Sequence, residues 1–230
     1  MTTSTDISDL YNTKKGVVNI LGAGPSLFHV DTRILYRHDC IFVNSAALLL
    51  PCNSNNFNVW LSLDRLCLKW SYFWKNVIVS DCLKIVNESY SKFHSHISKA
   101  KIRYFESRQE VEINNIFDNK LCGISSVPAS IDLALKMGYE KILLFGVDHR
   151  FIQGKSHFWE FYPKEKRPTF SGGINIGMKE QKIKFDSNIS YFEELKRKAE
   201  QKGACIINCA KRTSVLNVFQ STNSKEGLLM

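Results

Sequence analysis

The sequence predicts an α/β domain, a mostly parallel sheet with helices on both faces and one long lid loop. Three observations carry this. Short, continuously apolar runs recur at residues 17–21, 40–43, 58–63, 141–145 and 205–208, the pattern of strands buried on both faces. Segments 126–137 and 189–202 between them have helical spacing, and strands that alternate with helices build a parallel sheet. The chain has 230 residues, 44% of them hydrophobic, with 12 Gly and 5 Pro, enough for a core that needs no disulfide or metal.

Taken in order, residues 1–15 are a polar lead of mixed charge. The first strand, 17–21, runs straight into Gly22-Ala23-Gly24-Pro25-Ser26-Leu27. The second exits into Asn44-Ser45, and the third into Ser62-Leu63-Asp64-Arg65. Residues 76–80 and 101–105 are further strand candidates, rich in β-branched and aromatic side chains. Gly123-Ile124-Ser125-Ser126 then opens the helix over 126–137, and Gly138 caps it. The strand at 141–145 leads into Gly146-Val147-Asp148-His149, and the lid follows over about 149–185 with Gly154, Gly172, Gly173 and Gly177. A connection that long is a lid or binding loop, or disorder. A helix with Glu and Lys/Arg on its outer face, 189–202, precedes the last strand. No repeat or linker divides the chain, so residues 16–219 read as one α/β domain and 220–230 as a flexible tail.

Thirty-one Lys and Arg against 22 Asp and Glu leave a net charge of +9, which favours anionic partners. The surplus is spread along the chain without a basic, aromatic-interleaved run, which argues against a dedicated nucleic-acid surface. Seven cysteines, at 40, 52, 67, 82, 122, 205 and 209, contain no C-x-x-C pair, so they are expected reduced, mostly buried and without zinc. No run of about 18 apolar residues crosses a membrane, and the polar start is no secretory signal. The expected location is the cytoplasm. Peripheral membrane association and oligomerisation stay open.

In a parallel α/β sheet, ligands bind beyond the carboxyl ends of the strands at a topological switch point. Gly22 and Gly24 let backbone approach an anion, and Pro25-Ser26 can start a helix whose amides face phosphate. A tight turn is the alternative, because neither the third glycine of a dinucleotide fingerprint nor a P-loop lysine is present. Asn44 can hydrogen-bond a base or ribose, or be an ordinary turn residue. Asp64 can hold a cation or ribose hydroxyl, or cap a helix. Ser125 and Ser126 stand where a helix start takes phosphate. Asp148 and His149 suit acid/base or metal chemistry, or a structural role. In the lid, His157-Phe158-Trp159-Glu160-Phe161-Tyr162 can close over a base or sugar ring, or fold its aromatics onto the core.

The order and spacing of these motifs, with Leu-x-Met-Gly-Tyr-x-Lys-Ile-x-Leu-x-Gly-Val-Asp-His over 135–149, resemble the MptE-like (6-hydroxymethylpterin diphosphokinase-like) superfamily. More distantly the chain resembles the bacterial lipooligosaccharide sialyltransferases, which use CMP-sialic acid on a Rossmann-like fold. The resemblance runs from about Val17 to Phe219. It implies that Gly22, Gly24, Pro25 and Ser26 line the nucleotide phosphates, that Asn44 and Asp64 contact the donor, and that Ser125 and Ser126 take a phosphate or carboxylate. His157 falls near a sialyltransferase lid tyrosine, with Phe158 and Tyr162 beside it. Two departures stand out: Ala23 replaces an Asn, and the neighbourhood of the family's general-base His reads Lys184-Phe185-Asp186-Ser187. The base is then expected from His157, His149 or Asp186, with Asp148 orienting the site.

Three functions follow. The leading one is a sialyltransferase-like glycosyltransferase of surface-glycan biosynthesis, moving a sugar from a CMP-sugar to a glycan or small-molecule acceptor without a metal. The second is Mg²⁺-dependent diphosphoryl transfer from ATP, with Asp64 and Asp148 holding the ion. The third is a non-catalytic nucleotide-binding module.

Overall fold

The computed structural model describes residues 6–51, 55–64, 76–89, 102–108, 119–123, 125–168, 189–209 and 218–221, with backbone alone at 220 and 221. Among these residues nine strands form one sheet: β1 (Val17–Leu21), β2 (Asp39–Val43), β3 (Asn58–Ser62), β4 (Leu83–Asn87), β5 (Ile102–Arg108), β6 (Lys120–Cys122), β7 (Lys141–Phe145), β8 (Cys205–Asn208) and β9 (Gln220–Ser221). Their order is β6-β5-β4-β3-β2-β1-β7-β8-β9, and every pairing is parallel. The chain therefore builds outward from β1 to one edge, returns to the other side of β1 as β7, and builds to the opposite edge. The reversal between β1 and β7 is the topological switch point, where two strand exits diverge and leave a crevice. In register Leu21 lies beside Phe145, so both strands end level.

Both faces of the sheet are covered, which is why the strands read as unbroken apolar runs. Val18 and Ile20 of β1, Val59 and Leu61 of β3, and Ile142 and Leu144 of β7 belong to one core layer. Their neighbours Leu21, Trp60, Leu143 and Phe145 belong to the other. Helices α2 (Ser126–Met137) and α3 (Ile189–Gln201) cover the first layer, and the short α1 (Thr32–Leu35) and several 3₁₀ turns cover the second. α2 is buried almost throughout, so its sequence carries little polar contrast. It stops at Gly138, where φ is +98° and a Cβ would lie 2.7 Å from the Lys14 carbonyl oxygen, a cap only glycine fits.

Helix α3 buries Phe192, Leu195, Lys198 and Ala199. Lys198 Nζ lies 2.5 Å from Asp132 Oδ1, while Asp132 Oδ2 accepts from the Cys122 amide at 2.9 Å and stands 3.9 Å from Lys136 Nζ. One fully buried carboxylate thus holds two buried ammonium groups and ties α2, α3 and β6 together.

Some expectations change. Residues 76–79 are helical, with the Ser80 amide bonded to the Asn76 carbonyl, and the strand lies at β4 instead. The polar lead folds back on the domain: Ile7 is 0% exposed and Tyr11 8%, and Arg103 pairs with Asp9 at 2.8 Å. Cys40, Cys82, Cys122 and Cys209 are buried free thiols and Cys205 is exposed; burial pushes Cys40 and Cys209 up to about 12. Cys52 and Cys67 lie outside the described residues. Among the described residues no helix is long and apolar enough to cross a membrane.

Candidate functional site

The exits of β1, β2, β3 and β7 and the start of α2 converge on the switch point. At β1 the expected Gly-rich turn is present, and it is locked to β7. Gly22 N–H donates to the Phe145 carbonyl at 2.7 Å and Gly24 N–H to the Gly146 carbonyl at 2.7 Å. Pro25–His29 is a five-residue 3₁₀ turn rather than a longer helix. Its Ser26 amide donates to Asp148 Oδ2 at 2.8 Å, and Asp148 is 1% exposed. Ser26 Oγ is buried with no hydrogen-bond partner among the described residues.

Beside it, Asn44 sits at φ +50° immediately after β2, a left-handed geometry that asparagine tolerates better than most residues. Its Oδ1 accepts from Ser62 Oγ and from Ser126 Oγ, both at 2.9 Å. Each hydroxyl in turn accepts a backbone N–H, Ser62 from Asp64 at 3.1 Å and Ser126 from Leu63 at 2.9 Å. The Ser62 hydroxyl also lies 3.3 Å from the Asp64 carbonyl, a second acceptor for its single proton. Asn44 Nδ2 has no partner among the described residues and is left as a two-proton donor. Trp60 Nε1 donates to the Asn44 carbonyl at 2.9 Å and holds the turn. Ser125 occupies the N-cap position of α2 without a side-chain cap bond.

His149 also has φ +50°, a conformation that costs a non-glycine residue roughly 1–2 kcal/mol, and its ring packs edge-on against Phe192 at 5.2 Å. The described part of the lid docks on the Gly-rich turn, where the Phe158 amide donates to the Ala23 carbonyl at 3.1 Å. Phe158 and Trp159 lie in the core, 1% and 8% exposed. Phe161 stacks on Phe28 at 5.1 Å, and Tyr162 meets the same ring at 5.9 Å. His157 starts this turn. Its Nδ1 lies 2.7 Å from Ser156 Oγ and 3.3 Å from Glu160 Oε1, and its ring stacks on Trp159 at 5.0 Å. Gly172, Gly173, Gly177 and the Lys184 to Ser187 neighbourhood, Asp186 included, lie outside the described residues.

Glu160 is the anchor of that turn. Burial alone would raise its carboxyl, but hydrogen bonds from His157 and Ser156, side chain and backbone, outweigh it and hold the group down at about 2. A carboxyl lowered on folding contributes stability above its ordinary 4.5, and that contribution is lost as pH falls towards 2. Wild-type melting temperature should therefore drop between pH 4.5 and 2 by more than that of Glu160→Gln. Equal acid slopes for the two would show that the carboxylate does not hold the turn.

Asp64 and Asp148 follow β3 and β7, which lie three strand positions apart in the sheet, and Asp148 Oδ2 accepts from the Ser26 amide. Among the described residues no three His, Cys, Asp or Glu side chains group to hold a metal.

The chain is similar in structure to the MAf glycosyltransferase from Magnetospirillum magneticum AMB-1, with a TM-score of 0.56 and 14% identity. The fold is shared with a solved glycosyltransferase. The match covers 96% of this chain and spans 38% of that one. The sialyltransferase CstII from Campylobacter jejuni, in complex with a substrate analogue, cytidine-5'-monophosphate, matches with a TM-score of 0.47 and 14% identity, over 90% of this chain and 85% of that chain. No protein-family model matches the sequence, and no curated protein matches it.

Sequence reasoning found the strand exits but not what joins them. Ser62 is the second hydroxyl on Asn44, and Arg150, next to Asp148 and His149, carries no sequence signal of its own. For Ser62 a signal existed, since it ends a strand whose exit was already marked for Asp64.

Proposed function

We infer that the chain is a nucleotide-utilising glycosyltransferase that moves a sugar from a CMP-linked donor to a hydroxyl of a glycan or small acceptor, in surface-glycan biosynthesis. The carrying observation is the polar node at the switch point, where Asn44 is fixed by Ser62 and Ser126 with its amide protons unspent. A fixed donor of this kind at the strand exits suits the oxygen acceptors of a ribose, base or phosphate. The CMP-linked donor rests on the sequence resemblance to sialyltransferases.

In the transfer, the acceptor hydroxyl oxygen bonds to the anomeric carbon as the bond from that carbon to the phosphate oxygen breaks, the electron pair leaving with CMP. The hydroxyl proton goes to the lid His157. Its Nδ1 is held by Ser156 and the ionised Glu160, while its Nε2 has no partner among the described residues, the base-and-orienter arrangement that acid/base catalysis uses. His149, its ring packed edge-on against Phe192, is the second choice.

No metal enters this reaction as proposed. CMP at a hundred times its Kd should stabilise the protein by about 2.7 kcal/mol, which for a chain of this size raises the melting temperature by roughly 5–10 °C. The shift should be unchanged in EDTA. A shift given by ATP alone and only with Mg²⁺ would favour diphosphoryl transfer instead, and CMP-sugar binding without turnover would leave a non-catalytic module.

A further inference from the structure

We propose that Arg150 binds the phosphate of the nucleotide donor. The assignment rests on the nucleotide-donor reading above and adds the group that meets the donor's charge. The Gly-rich turn, where sequence alone would place that phosphate, has spent its amides. Gly22, Gly24 and Leu27 donate to the carbonyls of Phe145, Gly146 and Gly24, Ser26 donates to Asp148, and Pro25 has no N–H. Over 22–27, only the Ala23 amide is unpaired among the described residues. Asp148 moreover puts a buried carboxylate against this turn, which repels a second anion. A phosphate here needs a side-chain cation.

Arg150 is placed to supply it. It follows the carboxyl end of β7, two residues beyond Asp148, and the left-handed His149 turns the chain between them. The residue is half-buried, and its Nε is shut off from solvent without a hydrogen-bond acceptor among the described residues. A guanidinium stays charged at any ordinary pH, and a buried N–H without an acceptor is costly. Three other arginines are committed elsewhere: Arg167 Nε bonds to the Tyr162 carbonyl at 2.7 Å, Arg33 pairs with Asp31 and Arg103 with Asp9. The planar fork of Arg150 matches phosphate oxygens two at a time.

The test compares CMP with cytidine by calorimetry in wild type, Arg150→Met and Arg150→Lys, so that the phosphate contribution is the ratio of the two dissociation constants. Arg150→Met should weaken CMP by roughly 10- to 100-fold, the loss of hydrogen bonds to a charged group. Cytidine binding should not change. Arg150→Lys, which keeps the charge but not the fork, should fall between them. The melting temperature of ligand-free Arg150→Met should be no lower than wild type, because the guanidinium has no partner among the described residues to lose; a structural anchor would show a drop. An unchanged CMP-to-cytidine ratio in Arg150→Met, or an equal loss of both ligands, overturns the assignment and leaves the donor reading standing. Failure of wild type itself to bind CMP overturns the donor reading, and the assignment falls with it.

Discussion

Gly24→Ala should lose roughly 3–5 kcal/mol of stability, from overpacking and from a broken bond to a buried charge, together with nucleotide binding. Gly24 has φ −65° and ψ 157°, which alanine adopts without strain, so the effect is one of space alone. An added Cβ would stand 2.3 Å from Asp148 Oδ2 and 2.5 Å from the Gly146 carbonyl oxygen. Neither can retreat freely. Gly146 itself is at φ +64°, with a Cβ position 2.9 Å from Leu27 Cβ, and Asp148 is buried. The β1 and β7 exits must separate, stretching the Gly24 to Gly146 and Ser26 to Asp148 hydrogen bonds. Urea unfolding of Gly24→Ala, Asp148→Ala and the double variant checks this. Removing the carboxylate relieves one of the two clashes, so the double variant should be more stable than the sum of the single losses predicts. Additive losses would show that the contact between turn and carboxylate is not the source.

That lock was half legible in the sequence. Glycines directly after an apolar run signal backbone close to something, and a β7 exit reading Gly-Val-Asp-His signals polar groups at a strand's carboxyl end. What they approach was not legible, because Gly24 and Gly146 are 122 positions apart and only the sheet order brings them together. The same holds for Asn44, whose partners are 18 and 82 residues away.

The strands followed the same logic. β1 and β7 stand where their apolar runs placed them, since a strand buried on both faces has no polar phase to blur its ends, and β8 does so too although Cys205 is exposed. β4 escaped because Lys84 interrupts it; that ammonium is buried against the carbonyls of Ser80 and Cys82, a local solution that composition does not announce. The β-branched run just before it looked like a strand, yet a helical turn buries Val77 and leaves Ile78 and Val79 53% and 66% exposed. Tertiary context overrode propensity there. β6 and β9, three and two residues long, are too short to carry a periodic signal.

His157→Ala should lower kcat by roughly 10²- to 10⁴-fold, the usual worth of a positioned general base, while the affinity for CMP changes little. The expectation comes from where His157 is held. Its Nδ1 is engaged by Ser156 and Glu160, its ring is braced on Trp159, and the next amide is pinned to the Ala23 carbonyl of the Gly-rich turn. These contacts fix one nitrogen and leave the other to accept a proton. Lost docking of the lid could imitate a lost base, so His157→Asn, which can keep a hydrogen bond to Ser156, is the control: it should retain the melting temperature and still lose turnover. Added imidazole should restore part of the rate to His157→Ala. Glu160→Gln acts through the histidine and should cost less than His157→Ala, since the ring keeps Ser156 and Trp159. If His157→Ala turned over normally and His149→Ala did not, the proton would go to the strained histidine beyond β7 instead. Normal turnover by both would remove either histidine from the chemistry and send the search to the 169–188 stretch, where Asp186 is the candidate carried by the sequence.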